Sequence, residues 1–236
     1  MRHAERLAHH LTRLKALRRQ RLAAGLAAEG RLLTRWQSQR LGRTHADLLQ
    51  DARYGPAVRF FLTELYGPRD FSRRDRDLER ICPILARALP GRTIHTLALA
   101  LEMNVLTEEL DAALLRVLVE ELGFRKDLHE ADYAEAYRRC EDYDRRLRQL
   151  ELICEIGEEL EVVTTRPGIC TALRLAGTPA RLIGLGELHG LLERGFRAFH
   201  HMRGAKPLVE AIVGREKQIM DRIYACHAHP FELAIP

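Results

Sequence analysis

Apolar residues recur along most of the chain at intervals of three and four positions, which is the spacing of one face of an α-helix. No stretch shows the alternation of apolar and polar residues that a half-buried β-strand would give. Leucine and alanine supply 67 residues, whereas valine and isoleucine, which suit a pleated sheet, supply only 19. The pattern therefore predicts an all-α protein, a single bundle of about eight helices.

Glycine and proline divide this pattern into predicted helices. The first spans about 3–40, with Gly25 and Gly30 weakening its middle. Thr178 followed by Pro179 is typical of an N-cap and first helical position, so a short helix is predicted to begin there. The other predicted helices cover residues 44–52, 56–66, 72–89, 93–122, 130–161, 187–203 and 207–225.

Charge separates the N-terminal segment from the rest of the chain. The net charge is +5, yet the first 44 residues hold eleven basic and two acidic side chains, so the remainder is mildly acidic. We therefore divide the chain into a basic amphipathic arm (1–43), a helical bundle (44–225) and a C-terminal tail (226–236). The arm either projects and attracts nucleic acid, an anionic membrane surface or an acidic partner, or is a solvated helix face that can pair with the acidic body of its own chain or a neighbouring subunit. We favour the solvated helix face.

Several classes of protein are excluded by the composition. No run of about 18 uncharged apolar residues could form a membrane span. The first thirty residues contain arginines where a secretory signal would be apolar. The cysteines are odd in number, widely spaced and without a Cys-x-x-Cys pair, which favours reduced thiols and a cytoplasmic location. They are Cys82, Cys140, Cys154, Cys170 and Cys226.

One predicted helix contains polar residues in an apolar setting. Residues 93–106 are apolar nearly all round, which indicates a central buried helix, but His95 and Glu102 interrupt them. Burial would raise the pKa of Glu102 unless an arginine or another donor met it. The two residues could act as an acid and base, or as ligands, around a buried pocket. Alternatively Glu102 pairs with an arginine such as Arg146 or Arg215, which we favour.

A second candidate set lies on the predicted helix 187–203. His189 and Glu193 are four residues apart, a workable spacing for metal ligands. Glu193 also precedes Arg197 by four residues, the spacing of an ordinary intrahelical ion pair. Phe196, Phe199 and Met202 continue beside them and would line an apolar pocket, and His200 is a further polar candidate.

Known cofactor and nucleic-acid motifs are a poor match. None of the eleven histidines follows Glu or Asp by three residues, which removes the ferritin-like di-metal template, and no Cys-x-x-Cys-His motif for covalent haem exists. Non-covalent haem needs only one histidine, so the cofactor stays unknown. Cys226, His227 and His229 are weak metal candidates near the end of the chain. Residues 182–186 resemble the hairpin of helix-hairpin-helix modules, but Glu187 would repel a phosphate, so a turn between helices is the better interpretation.

Residues 54–77, YGPAVRFFLTELYGPRDFSRRDRD, carry a resemblance to a known family. They resemble a signature, approximately FFLxxLYGxxDFxxRD, of an uncharacterised family of helical bacterial proteins. Residues 97–114 and 184–202 are similar to other shared stretches of that family. The resemblance covers about 44–225 and leaves the basic arm outside. It implies a bacterial, cytosolic helical protein without an established activity, so it assigns no functional residue.

Three functional hypotheses follow. The leading one is a non-enzymatic helical protein that binds a partner protein or a small apolar ligand, with homo-oligomerisation through residues 3–40 as the simplest case. The second is an enzyme, or a binder of metal or haem, with a pocket formed by His95, Glu102, His189, Glu193 and His200. The third is nucleic-acid binding through residues 1–43.

Overall fold

A computed structural model describes residues 2–65, 91–166 and 168–234 of the chain. Within these ranges the secondary structure is helical and no residue lies in a β-strand, so the prediction of an all-α protein is confirmed. The predicted helix 72–89 lies outside the described residues. The α-helices of the described ranges are α1 (Arg2–Ala23), α2 (Ala27–Thr44), α3 (Ala46–Gln50), α4 (Gly55–Phe60), α5 (Gly91–Arg116), α6 (Glu130–Arg139), α7 (Tyr143–Thr165), α8 (Ile169–Leu182), α9 (Gly186–Met202) and α10 (Lys206–Tyr224).

The predicted N-terminal helix is two helices. The chain leaves α1 at Gly25, whose φ of 69° lies in the left-handed region that glycine adopts at little cost, and α2 begins two residues later. Two further segments are π-helical and extend α4 and α5 by one turn each, over Phe61–Leu65 and Val117–Glu121. Predicting one uninterrupted helix over 3–40 was therefore wrong at its middle.

Helix α1 does not project; it lies along α5. Its leucine stripe is buried against the apolar face of α5, and the buried members of this contact are Leu7, Leu11, Leu14, Leu17, Ile94, Ala98, Leu101 and Val105. Arg6 contacts Glu102 and Arg13 contacts Glu109, so the two helices run in the same direction. Of the two alternatives for the basic arm, the structure shows pairing with the acidic body of its own chain. The division into arm, bundle and tail stays a prediction.

The main core lies where α5, α6, α7 and α10 meet. Leu114 and Leu118 are fully buried there. Trp36 of α2 stacks on Tyr133 with ring centroids 4.2 Å apart, and Phe231 contacts both rings edge-on. The segment predicted to be a C-terminal tail packs on the body through Phe231.

A smaller core lies between α4, α9 and α10. Phe199 of α9 meets Phe60 and Phe61 edge-to-face, with centroids 6.0 and 5.3 Å away. Met202 and Leu208 complete this core and are almost fully buried. It fixes the C-terminal half of α9 on the body.

Two further helix predictions were wrong in detail. The predicted helix 130–161 is divided into α6 and α7 at Glu141, whose φ is 52°. The short helix expected from Thr178 begins instead at Ile169, and Pro179 lies in its last turn. Gly168, with a φ of 86°, turns the chain between α7 and α8.

Candidate functional site

Glu102 is paired with arginine, as favoured from the sequence, but with other partners than those named there. Its carboxylate accepts hydrogen bonds from Arg6 of α1 at 2.7 Å and Arg148 of α7 at 2.9 Å, rather than from Arg146 or Arg215. Burial alone would raise the pKa of Glu102, but Arg148 and Arg6 offset it and the pKa is lowered. The carboxylate therefore ties three helices together.

The surface beside Glu102 is an open depression of about 590 Å³ rather than an enclosed pocket. Its other lining residues include His9 and His10 of α1. His95 lies two turns before Glu102 on α5 and is not among the residues that line this depression. The pKa of Glu159 is lowered mainly by Arg92 and to a smaller extent by His95. The alternative hypothesis that His95 and Glu102 serve one pocket, which the sequence did not favour, stays a prediction.

The candidate residues of α9 are engaged in packing the helix. The Nε2–H of His189 donates to the carbonyl oxygen of Leu173 at 2.7 Å, because a carbonyl can only accept. Glu193 contacts Arg197 at 3.5 Å, the ion pair that the four-residue spacing indicated. His200 contacts the Thr164 carbonyl oxygen through Nδ1 at 3.1 Å. These contacts join α9 to α8 and α7.

The aromatic candidates of α9 belong to the same packing. Phe196 stacks on His200 with centroids 5.6 Å apart, and Phe199 lies in the smaller core. Within residues 2–65, 91–166 and 168–234, no three His, Cys, Asp or Glu side chains come close enough together to hold a metal ion. The seven candidates are thus divided between the surroundings of α5 and those of α9.

Sequence reasoning missed a buried charged group between α2 and α10. Arg40 donates to both carboxylate oxygens of Glu216 at 2.6 Å, and His45 Nε2 lies 3.0 Å from the same carboxylate. Burial by itself would raise the pKa of Glu216, but Arg40 and His45 outweigh it and lower the pKa to about 2. Residues 171 or more positions apart in sequence carry no local signal of such a contact.

A second buried charge lies in the main core. Arg146 is 6% exposed, and its guanidinium stands 3.8 Å from the centroid of the Tyr137 ring. Its Nε and Nη2 have no hydrogen-bond partner in the part of the chain that the structure describes. Asp111 accepts a hydrogen bond from Gln37 at 2.9 Å, and burial raises its pKa to about 6. The Arg146 side chain is enclosed by the core and offers no open site, whereas Asp111 is only partly buried.

The structure points instead to the hairpin of α8 and α9. Gly184, with a φ of 79°, ends α8, and the Leu185 N–H donates to the Ala180 carbonyl oxygen at 2.7 Å. This six-residue bond across a left-handed glycine is a Schellman motif, and Leu185 buries its side chain beneath the turn. His189 then packs on Gly177, where an added Cβ would lie 3.1 Å from the ring. The turn and this contact hold the two helices side by side.

The outer surface of this hairpin is apolar. Leu175 is 73% exposed, Leu182 82% and Ile183 61%, and Leu192 on α9 is 50% exposed. Leu175 and Leu182 are seven residues apart, so they lie on one face of α8, directed away from α9. An exposed apolar patch on a folded protein marks an interaction surface more often than a chance arrangement.

On α8 and the segments directly flanking it this surface carries only positive charge, whereas α9 adds Glu187 and Glu193. Residues 162–186 contain no Asp or Glu and three arginines, all exposed: Arg166, Arg174 and Arg181. The absence of acidic residues over this length, with leucines seven apart, was visible in the sequence. It was missed because Pro179 was interpreted as a helix start, which divided the face between a loop and a short helix.

Comparison with known proteins gives a family but no activity. No curated protein and no solved structure matches the chain. Residues 16–230 match the family described as a domain of unknown function (DUF8198). The match begins 28 residues before the resemblance drawn from the signature, so most of the basic arm lies inside it. Because it spans most of the sequence, the chain belongs to the DUF8198 family.

Proposed function

We propose that this protein is a non-catalytic interaction protein and that the α8–α9 hairpin is its docking surface for a partner protein. One observation carries the proposal: within the described residues, every large apolar side chain that is mostly exposed lies on this hairpin. Burying a leucine or isoleucine side chain completely contributes about 1.5–3 kcal/mol. The four side chains together therefore offer enough free energy to support a specific contact.

A partner protein fits this surface better than a small apolar ligand does. Leu175, Leu182 and Ile183 lie on the outside of a helix and its turn, where they form a ridge. A small ligand is usually bound in a concave pocket that covers most of its surface. A ridge is instead covered by a groove or by a second helix, which a protein supplies.

The alternative functions have less support. Glu102, His189 and His200 already have hydrogen-bond partners that join helices. In the basic arm, Arg13 is paired with Glu109 and Arg21 with Glu108, which reduces the charge available to a nucleic acid. The leucines that would serve homo-oligomerisation through residues 3–40 are buried against α5 of the same chain.

We also propose a bacterial origin and a cytoplasmic location. The origin is supported by the resemblance of residues 54–77 to the signature described above. The location is supported by the cysteines, since Cys140, Cys154, Cys170 and Cys226 are free thiols. Within residues 2–65, 91–166 and 168–234, none of the helices combines the length and the apolar character that a membrane crossing requires.

The test is affinity capture from a lysate of the source organism with full-length protein. The variant L175E/L182E places two charges on the docking surface, and A100E/A112E adds the same two charges at exposed positions of α5. We expect wild type and the α5 variant to retain the same protein partner and L175E/L182E to lose it. Circular dichroism should show all three folded alike, since the changed positions are exposed. A capture pattern that L175E/L182E leaves unchanged would contradict the proposal.

A further inference from the structure

We propose that a cleft at the C-terminal end of α2 binds a free α-amino acid with an apolar side chain. The cleft has a volume of about 330 Å³ and is lined by the last turn of α2, the first residue of α6 and residues 231–233. This volume is at the small end of the range for ligand pockets, which suits a molecule of that size. The cleft lies outside the α8–α9 hairpin, so the inference goes beyond the proposed function and does not depend on it.

The α2 side of the cleft offers buried hydrogen-bond donors. Arg40 and Thr44 are one turn apart, only 8% and 7% exposed, and both line the cleft. Arg40 meets Glu216 through Nη1, while its other two nitrogens have no hydrogen-bond partner in the described part of the chain. The hydroxyl of Thr44 makes no hydrogen bond to the described residues either, whereas Thr34 on the same helix donates to the Gly30 carbonyl oxygen at 3.0 Å. Since an unpaired buried donor is costly, a ligand carboxylate that accepts from both side chains would stabilise the complex.

The C-terminal segment brings negative charge to the same cleft. The Glu232 side chain is 75% exposed, and its carboxylate contacts His229 at 3.8 Å, a distance that leaves room for a closer partner. Glu130 adds a second carboxylate, which is paired with Arg43 at 2.8 Å. A ligand ammonium group would therefore meet a carboxylate while the ligand carboxylate meets the donors of α2. The cleft is matched to a molecule that carries both charges.

Apolar side chains complete the cleft. Phe231 and Leu233 line it, and Phe231 is held by its edge-on contact with Trp36. Arg222 holds the same segment by donating to the His229 carbonyl oxygen at 2.8 Å. The apolar wall is thus preformed beside both charged groups, where the side chain of a zwitterionic amino acid would lie.

Two simpler ligands fit less well. An inorganic anion would gain the donors of Arg40 and Thr44, but it would lie near the carboxylates of Glu130 and Glu232 without neutralising them. A cation without a carboxylate would leave the donors unsatisfied. A zwitterion satisfies both sets of groups.

The test uses the fluorescence of Trp36, the one tryptophan of the chain, whose ring contacts a residue that lines the cleft, Phe231. Full-length protein is titrated with L-valine, L-leucine and L-methionine, and we expect a saturable change with at least one of them. The matched analogues of the tightest binder are its acid without the amino group and its amide; for L-leucine they are 4-methylpentanoate and L-leucinamide. Both analogues should bind at least tenfold more weakly than the parent amino acid.

Substitutions locate the site. T44V keeps the shape of the side chain and removes its hydroxyl, so it should weaken binding at least tenfold, and E232Q should weaken it at least threefold. The matched control T12V removes an exposed hydroxyl of α1 and should change binding less than twofold. Thermal unfolding should show that all three variants are folded like wild type.

A saturable response to none of the three amino acids would overturn the inference, as would binding that T44V or E232Q leaves unchanged. Equal binding of the analogue without the amino group would assign the cleft to a simple anion, and equal binding of the amide would assign it to a cation. Either result overturns the inference. None of these results bears on capture through Leu175 and Leu182, so the proposed function is tested separately.

Discussion

Replacing Glu216 by glutamine should destabilise the protein more than any other single polar substitution considered above. The change keeps the size of the side chain and removes its charge. Arg40, which is 8% exposed, would then keep a buried positive charge without its counter-ion. His45, which is 3% exposed, would lose the carboxylate that lies 3.0 Å from its Nε2.

The magnitude follows from the geometry and from the pKa. Breaking a buried ion pair by removing one partner typically costs about 3–5 kcal/mol. Independently, the fall of the Glu216 pKa from 4.5 to about 2 corresponds to roughly 3 kcal/mol of stability at neutral pH. A domain is usually stable by about 5–15 kcal/mol, so the E216Q protein should be folded but marginal.

Urea unfolding followed by circular dichroism at pH 7 would measure the loss. The matched control is R40M/E216L, which replaces the buried pair by apolar side chains of similar size and should restore stability to within about 2 kcal/mol of wild type. Because the folded pKa of Glu216 lies below its unfolded value, its contribution is full above about pH 4.5. It is lost as the pH falls towards 2, and the E216Q protein should lack that dependence. An E216Q loss below about 1 kcal/mol at pH 7 would refute the reasoning.

Three further substitutions test the core. Burial raises the pKa of Asp111 from 3.8 to about 6, so its contribution to stability is greatest below about pH 4 and declines as the pH rises through 6. D111N keeps the acceptor for Gln37, and its free energy of unfolding in urea at pH 8 should exceed that of wild type by at most roughly 3 kcal/mol. The gain should be smaller at pH 4, and an equal gain at both pH values would be evidence against this reasoning. G157A should lose about 1–3 kcal/mol, because its Cβ would lie 2.7 Å from Val209 Cγ2, and V209A should recover part of that loss in thermal unfolding. L114A should lose about 2–5 kcal/mol, and a loss under 1 kcal/mol would remove Leu114 from the core.

The helical class was predictable because leucine and alanine periodicity is a local property of the sequence. The positions at which the helices begin and end were less predictable. Gly25 was correctly identified as a weak point of the first helix, but glycine alone does not show whether a helix bends or ends. The break at Glu141 has neither glycine nor proline beside it, and the helical pattern continues through it. Pro179 is typical of a first turn, yet the packing of α8 on α9 accommodates it in the last.

The partners of the polar residues could be predicted in kind but not in identity. An arginine was expected beside Glu102, and with 34 arginines in the chain the sequence could not select Arg6 and Arg148. Contacts such as that of Arg40 with Glu216 depend on how distant helices meet, which local spacing does not determine. The α8 surface was different, because its lack of acidic residues and its leucines seven apart could be recognised from the sequence once the ends of the helix were known.

The position of α1 bears on where the folding unit begins. The family match starts at residue 16, which leaves Leu7, Leu11 and Leu14 outside it. Removal of the residues before 16 would expose the side of α5 that holds Ile94 and Leu101, and an exposed apolar surface of this kind promotes aggregation. A chain that begins at residue 16 should therefore aggregate more readily than one that keeps all of α1.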